Sequence, residues 1–271
     1  MSEPVTIRAV MFDWAGTTVD HGCFAPVAPF IDAVAELGVT ISSAEARKPM
    51  GLHKRDHLVA ILSEPEIAAR FRAVHQREWN QTDIDRMFER FITAQLTSIR
   101  DHAKLIPGVL DTVAELRRRG IGIGGTTGYF REAAKIVIEL AAQQGYSPDL
   151  SLTPEDVAGG GRPWPWMIYR IMEHLRVCPP AAVLKIGDTI PDMEEGRNAG
   201  VWTFGVRRTG SEIGLTAEEL DALPVDQRQA KLRHAETVLM GAGAHGVIDS
   251  VAEVPALIDA LNARLARGER P

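Results

Sequence analysis

The chain reads as an α/β protein: a Rossmann-like parallel sheet core with helices on both faces, plus an all-helical cap (lid) inserted after the first strand. Three observations predict this. Beyond Pro107-Gly108, short apolar runs alternate with longer helix-patterned segments, the texture of a parallel sheet covered by helices. From about Phe24 to His102 that alternation is missing and the pattern is almost wholly helical. Ahead of it stands one more apolar run, Ile7-Arg8-Ala9-Val10-Met11-Phe12, which reads as a buried strand ending at Asp13.

Taken in order, the first strand is followed by the helical segment. There, Glu66 to Trp79 and Asp83 to Ile92 carry apolar side chains at helix-like intervals, the latter with acids in its first turn. Strands are then expected near Gly122–Thr126, Asp149–Leu152, Val183–Ile186, Trp202–Val206 and Gly246–Ile248. Helices are expected at Val109–Arg119, Tyr129–Gln144, Trp164–Leu175, Pro191–Ala199 and Asp226–Met240. The tail after Val251 reads as a terminal helix with a basic end. The expected division is a core of residues 1–22 and 103–271 and an inserted cap of residues 23–102.

With 271 residues, 45% of them hydrophobic, the chain can bury a full core. A charged fraction of 24% and a net charge of -6 argue against a nucleic-acid partner, which favours a basic face. Arg117-Arg118-Arg119 is the nearest thing to a basic cluster, and it closes a predicted helix before Gly120, where the helix dipole favours cations. Two cysteines, Cys23 and Cys178, make no disulfide framework and fit a reducing cytoplasm. No N-terminal apolar stretch reaches signal-peptide or membrane-span length, because Arg8 and Asp13 interrupt the candidate. A cytoplasmic protein without a membrane partner is the expectation.

Four sets of residues fall at predicted strand ends, where open α/β sheets bind ligands. Asp13 opens the octet Asp13-Trp14-Ala15-Gly16-Thr17-Thr18-Val19-Asp20. Thr126 and Thr127 lie in Gly124-Gly125-Thr126-Thr127-Gly128-Tyr129, at a strand-to-helix turn whose hydroxyls and N–H groups suit phosphate oxygens. Arg162 follows Gly159-Gly160-Gly161, and its guanidinium forks onto phosphoryl or carboxylate oxygens. Asp188 and Asp192, four apart across a strand-to-helix turn, suit an oxygen-seeking ion such as Mg²⁺.

This set, in this order, resembles the haloacid dehalogenase superfamily, whose phosphotransferases use the first aspartate as a nucleophile on phosphorus. The resemblance implies Thr127, followed by the small Gly128, as the phosphoryl contact, although Thr126 stays open. It also implies Asp13, Asp188 and the backbone carbonyl of Ala15 as Mg²⁺ ligands, with Asp192 supporting the site. Most of these enzymes carry a second aspartate where this chain has Ala15, which cannot protonate a leaving group.

The helical segment offers a different group. Pro49-Met50-Gly51-Leu52 breaks the helical pattern, so Lys54 starts a new helix on a turn able to face the core. This stretch resembles the phosphonoacetaldehyde hydrolases (phosphonatases), in which a lid lysine forms a Schiff base. So do Asp13 to Thr18, His21 to Pro26, Thr126 to Tyr129 and Gly161 to Trp166. The resemblance spans about residues 7 to 215 and implies cleavage of the C–P bond of phosphonoacetaldehyde to acetaldehyde and phosphate, in breakdown of 2-aminoethylphosphonate. An iminium on Lys54 takes up the electron pair of the breaking bond, so an acid at position 15 has no work to do.

By the same resemblance Cys23 and Met50 line the pocket near the imine, and a homodimer is expected. Tyr129 either orients the reacting groups or packs at the mouth. His57 shares a helical face with Lys54 and is either a proton shuttle or a packing residue of the lid. His53 faces elsewhere, Trp14 turns into the core, and Trp164 and Trp166 anchor the arginine loop. The rival readings are a Mg²⁺-dependent phosphomonoesterase or phosphomutase, which needs an acid at position 15, and a non-catalytic phosphate binder, which should have lost Asp13 or the Asp188/Asp192 pair. A dehalogenase acting on carbon has no use for the metal motif.

Overall fold

The computed structural model describes residues 5–271; the first four residues of the expected core segment lie outside it. The chain opens with β1 (Ala9–Phe12) and then runs through five helices: α1 (Val27–Ala35), α2 (Ser43–Arg47), α3 (Lys54–Ser63), α4 (Pro65–His75) and α5 (Gln81–His102). The remainder alternates: α6 (Val109–Arg118), β2 (Gly122–Thr126), α7 (Arg131–Gln143), β3 (Leu150–Leu152), α8 (Trp166–Leu175), β4 (Val183–Gly187), α9 (Ile190–Ala199) and β5 (Trp202–Val206). It ends with α10 (Ala217–Ala222), α11 (Val225–Gly241), β6 (Gly246–Ile248) and α12 (Val254–Ala266).

All six strands are parallel, in the order β3-β2-β1-β4-β5-β6. Helices cover both faces, and β1 shows why. Ala9 and Met11 point to one side, into a cluster with Met167, Ile168 and Ile171 of α8. Val10 and Phe12 point to the other, against Val113 and Leu116 of α6 and Ile258 and Leu261 of α12. Phe12 pairs in register with Gly125 of β2 and Ile186 of β4. The residues just beyond, Asp13, Thr126 and Gly187, therefore stand abreast at the carboxyl edge of the sheet.

The five helices between β1 and β2 pack on one another, with Phe30 of α1 stacked on Phe91 of α5 at 4.4 Å between ring centroids. They reach the sheet domain through α5 and α7, where Phe88 meets Phe130 edge-on. Their ends carry local signals: Asn80 and Asp83 cap α5 reciprocally, Ser42 and Glu45 do the same for α2, and Pro65 opens α4. Among the described residues no helix is long and apolar enough to cross a membrane.

Three boundaries differ from the sequence reading by two residues or more, and one helix is additional. The helix expected from Tyr129 starts at Arg131, because Phe130 is extended, and this leaves Tyr129 in the turn. The helix expected from Trp164 starts at Trp166, after the cap residue Pro165. The pattern running to Trp79 stops at His75, since Gln76 takes a left-handed conformation. Helix α10 was not anticipated, although Thr216 and Glu219 form a capping box that the spacing already offered.

Candidate active site

At the carboxyl edge of the sheet a cleft with about 20 Å³ of water-accessible space opens under the turn before α3. Asp13, Ala15, Thr127, Gly128 and Arg162 line it from the sheet side, and Cys23, Met50, Gly51 and Lys54 from the helical side. Tyr129 and Thr189 complete the wall. That is room for roughly one water, so the helical side closes tightly over the sheet side.

Two glycines let the two sides touch. Gly51, at φ +93°, lies where a Cβ would fall 2.2 Å from Thr189 Oγ1. At Gly128 a Cβ would fall 2.5 Å from the carbonyl oxygen of Leu52. The Pro49–Leu52 turn thus rests directly on the loops that follow β2 and β4.

Asp13 is buried, with Oδ1 accepting from Arg162 Nη2 at 2.6 Å. Burial and the nearby Asp192 raise its carboxyl above the ordinary value, and Arg162 opposes them. Asp188 is held by the Thr17 hydroxyl at 3.1 Å and the Ser211 N–H at 2.8 Å, both neutral donors. Burial, then Asp13 and Asp192, push it well above the carboxylate range. Gly16, at φ +84°, makes this approach possible: a Cβ there would stand 2.4 Å from Asp188 Oδ2. Burial works against ionisation of Asp192 too, but Arg162 and Lys185 bring its carboxyl below the ordinary value.

One carboxylate oxygen each from Asp13, Asp188 and Asp192 lie within 4.8 Å of one another, all buried. Such a set of hard oxygen donors, with mutual repulsion left over and no cation on Asp188, fits a divalent metal ion. Asp192 is the least free to bind it directly. Its Oδ1 lies 2.8 Å from Lys185 Nζ and 3.0 Å from Arg162 Nη2, and its Oδ2 accepts from Thr189 Oγ1 at 2.5 Å.

Lys54 is the first residue of α3 and only 4% exposed. No carboxylate pairs with it among the described residues; its ammonium sits over the Tyr129 and Phe30 rings. Burial lowers it to about 8, with Cys23 and Asp13 opposing. Cys23 holds a left-handed backbone conformation at φ 53°, and Arg47 braces that bend by donating to the carbonyls of Gly22 and Cys23. Burial pushes the Cys23 thiol and the Tyr129 phenol up, so both are neutral walls; the Tyr129 hydroxyl has no partner among the described residues.

The structure separates Thr126 from Thr127. Thr127 lines the cleft and accepts the Tyr129 N–H at 3.1 Å. Thr126 is turned away into a knot of charge with Arg162, Lys185 and Glu195. Lys185 and Glu195, both fully buried, were missed by the sequence reading. A lysine inside an otherwise apolar strand of a parallel sheet was the available signal, because it needs a buried partner.

His57 does not reach the cleft. Its Nε2 donates to the Ala46 carbonyl at 2.8 Å and its ring stacks on Phe30 at 3.6 Å, which turns it into the helical segment. Burial and Lys54 hold it well below the usual histidine value, and Nδ1 has no partner. Trp14 packs in the core against Tyr146 and donates to Ser151. Trp166 lies against the backbone of Gly159 and so anchors the arginine loop, whereas Trp164 is 57% exposed and anchors nothing. Arg118 and Arg119 pair with Glu115 at the end of α6, in line with a helix-end role for that run.

The family model described as "haloacid dehalogenase-like hydrolase" matches residues 7–200. A protein of Nitratidesulfovibrio vulgaris named phosphonoacetaldehyde hydrolase is 44% identical over 265 residues, 98% of this chain and 94% of its own length. One of the same name from Bacillus cereus is 46% identical over 254 residues, 93% of this chain and 96% of its own. The crystal structure of a phosphonoacetaldehyde hydrolase-like protein from Oleispira antarctica superposes with a TM-score of 0.95 at 38% identity, covering 100% of this chain and 98% of that one. A Clostridium difficile β-phosphoglucomutase, 16% identical with a TM-score of 0.67 over 97% of this chain and all of its own, shares the fold alone.

Proposed function

The chain belongs to the phosphonoacetaldehyde hydrolases within the haloacid dehalogenase-like hydrolase family, and from that premise we propose that it cleaves phosphonoacetaldehyde to acetaldehyde and phosphate. The observation that carries this reading is Lys54, buried without a carboxylate partner and lowered to about 8, in one cleft with Asp13 and Ala15.

The Lys54 amine adds to the aldehyde, and loss of water gives a protonated imine. Asp13 then attacks phosphorus as the C–P bond breaks, and the electron pair of that bond moves into the iminium to give an enamine. A proton on the enamine carbon and hydrolysis of the imine return Lys54 and release acetaldehyde. Water attacking the aspartyl-phosphate releases phosphate and returns Asp13. Throughout, no oxygen leaving group forms, which accounts for Ala15.

Arg162 faces the transferring group from the Asp13 side, and Thr127 and Gly128 supply hydroxyl and N–H donors to its oxygens. Cys23, Met50 and Tyr129 shield the imine from water. His57 stands one turn behind Lys54; with Nε2 donating to Ala46, its Nδ1, unpartnered among the described residues, is the lone pair through which we propose a proton passes from the lysine side, the imidazole itself staying neutral at rest. We propose that Asp13, Asp188 and the Ala15 carbonyl would hold Mg²⁺, with Asp192 in support; such an ion would supply positive charge against the phosphonate.

We treat residues 23–102 as a cap that opens on a core of residues 1–22 and 103–271, with the Gly51 and Gly128 contacts as its seat. We also propose a homodimer, for which the exposed cluster of Trp164, Trp166 (44%) and Tyr169 (39%) offers a surface. Light scattering of Trp164→Glu tests this. Free Cys23 and Cys178 fit a reducing cytoplasm.

Borohydride reduction in the presence of phosphonoacetaldehyde, followed by peptide mass spectrometry, tests the mechanism. An adduct on Lys54 is expected. Its absence, with Mg²⁺-dependent hydrolysis of phosphate esters intact, would favour a phosphomonoesterase instead.

A further inference from the structure

Arg162 ends a loop containing three consecutive glycines, yet its guanidinium must hold a fixed plane beside Asp13. The bond to Asp13 Oδ1 cannot fix it, because that carboxylate loses its charge when it takes the phosphoryl group. Something that does not react has to hold the arginine.

Glu195 of α9 meets that need. Its Oε2 accepts from Arg162 Nε at 3.1 Å and from Thr126 Oγ1 at 3.0 Å, and it forms an ion pair with Lys185 Nζ at 3.1 Å. The Thr126 hydroxyl closes the ring, accepting from Arg162 Nη2 and from Lys185 Nζ, each at 2.8 Å. Thr126, Lys185 and Glu195 sit on β2, β4 and α9, and all three are wholly buried. They form a rigid platform built from regular elements, the kind of support that keeps a reacting constellation in register.

Lys185 adds a balance of forces. Arg162 is shared among Asp13 at 2.6 Å, Asp192 at 3.0 Å and Glu195 at 3.1 Å. Lys185 takes up part of the demand of the last two, at 2.8 and 3.1 Å. Without it, Asp192 and Glu195 would draw the guanidinium away from the nucleophile.

We infer that Glu195, with Lys185 and Thr126, is a positioning residue for phosphoryl transfer, holding Arg162 by Nε so that Nη2 stays aimed at Asp13 while that carboxylate changes charge. This rests on the Schiff-base and aspartyl-phosphate reading above. That reading has two separable chemical halves, and only one of them needs Arg162.

The test measures both halves in Glu195→Gln. Borohydride trapping on Lys54 should match the wild type, while kcat for phosphate release falls about tenfold to hundredfold with KM within about threefold. Combined with Arg162→Lys, the substitution should add little, because the two act on one bond. Thr126→Val, nearly the same volume, should show the same split and decides the matter if Glu195→Gln does not fold. A kcat within twofold of wild type, a parallel loss of trapping and release, or full additivity with Arg162→Lys would overturn the inference. Failure of the Schiff-base reading looks different: the wild type itself would not be trapped. The Arg162 cycle, read on phosphate release from p-nitrophenyl phosphate, would then still decide the role of Glu195.

Discussion

The Lys54 ammonium lies 5.0 Å from the centroid of the Tyr129 ring and 5.6 Å from that of Phe30. Two π faces are its nearest partners; no carboxylate pairs with it among the described residues, and Asp13 and Asp188 act on it only through space. Ring faces stabilise the charged form less than a carboxylate would, so burial dominates and the amine is lowered to about 8. The proposed Schiff-base step needs the free amine. kcat/KM should therefore rise with pH and level off above about 8, and Lys54→Arg, always charged, should give neither adduct nor activity.

The same shift affects stability. In the unfolded chain the lysine holds its proton up to its ordinary value near 10.5, whereas the folded protein releases it near 8. Below pH 8 the full penalty applies, and it shrinks as pH rises from 8 to 10.5. Lys54→Met should therefore stabilise the protein at pH 7 by about 1–3 kcal/mol, less whatever the ring contacts return. Urea unfolding at pH 7 and pH 10 measures both the gain and its decline.

Asp13→Asn should part the two halves of the reaction. Imine trapping on Lys54 persists, while phosphate release falls at least about a thousandfold. Loss of the adduct along with the phosphate would mean that Asp13 also serves the lysine.

Gly16→Ala brings a methyl group within 2.4 Å of Asp188 Oδ2 at a φ of +84°. The left-handed backbone alone costs about 1–2 kcal/mol. Mg²⁺ binding measured by calorimetry should weaken tenfold or more, beyond the fall in thermal stability of the metal-free protein.

Gly51→Ala places a methyl group 2.2 Å from Thr189 Oγ1 at φ +93° and forces the Pro49–Leu52 turn off its seat. A displacement of about an ångström at Lys54 should cost about a hundredfold in kcat. Amide exchange should quicken in the turn and around residue 128.

His57 is held neutral in the fold, well below the ordinary value near 6.5. As pH falls below 6.5 the unfolded chain takes up a proton that the folded one refuses, so stability falls by up to about 1.4 kcal/mol per pH unit. His57→Gln should remove that part of the slope. If Nδ1 also relays a proton, kcat should drop by about a hundredfold with trapping slowed; an unchanged kcat would leave His57 as packing alone.

The sheet was legible because buried parallel strands are largely apolar runs, as at Ala9–Phe12, which is apolar and buried throughout. Asp13 and Asp188 were visible for the same reason, standing just past such runs. Helix starts were harder: Phe130 is extended and Pro165 is the cap residue, so two helices begin two residues later than their apolar patterns do. His57 shows the limit of periodicity: spacing gives the side of a helix, but not whether that side meets a cleft or another helix. Glu195 hid differently. Three residues after Asp192, it looked like an ordinary acid early in a helix, and only the fold brings Arg162 and Lys185 to it.

Arg162 meets Asp13 across 149 residues of chain, and Thr17 meets Asp188 across 171. Because β1 lies inside the sheet while helices α1 to α5 intervene before β2, a chain leaving the ribosome makes Asp13 early and Arg162, Asp188 and Asp192 much later. Until then Asp13 sits on a strand with nothing to pair with. The helices in between pack on one another, α1 on α5 above all, and can form once His102 has emerged, while β1 still waits for β2 and β4. A nascent or shortened chain ending before α9 has no Asp192 and no Glu195, so it cannot hold the arginine. Catalytic competence should therefore arrive abruptly during synthesis, with the emergence of β4 and α9, and not in proportion to the length already made.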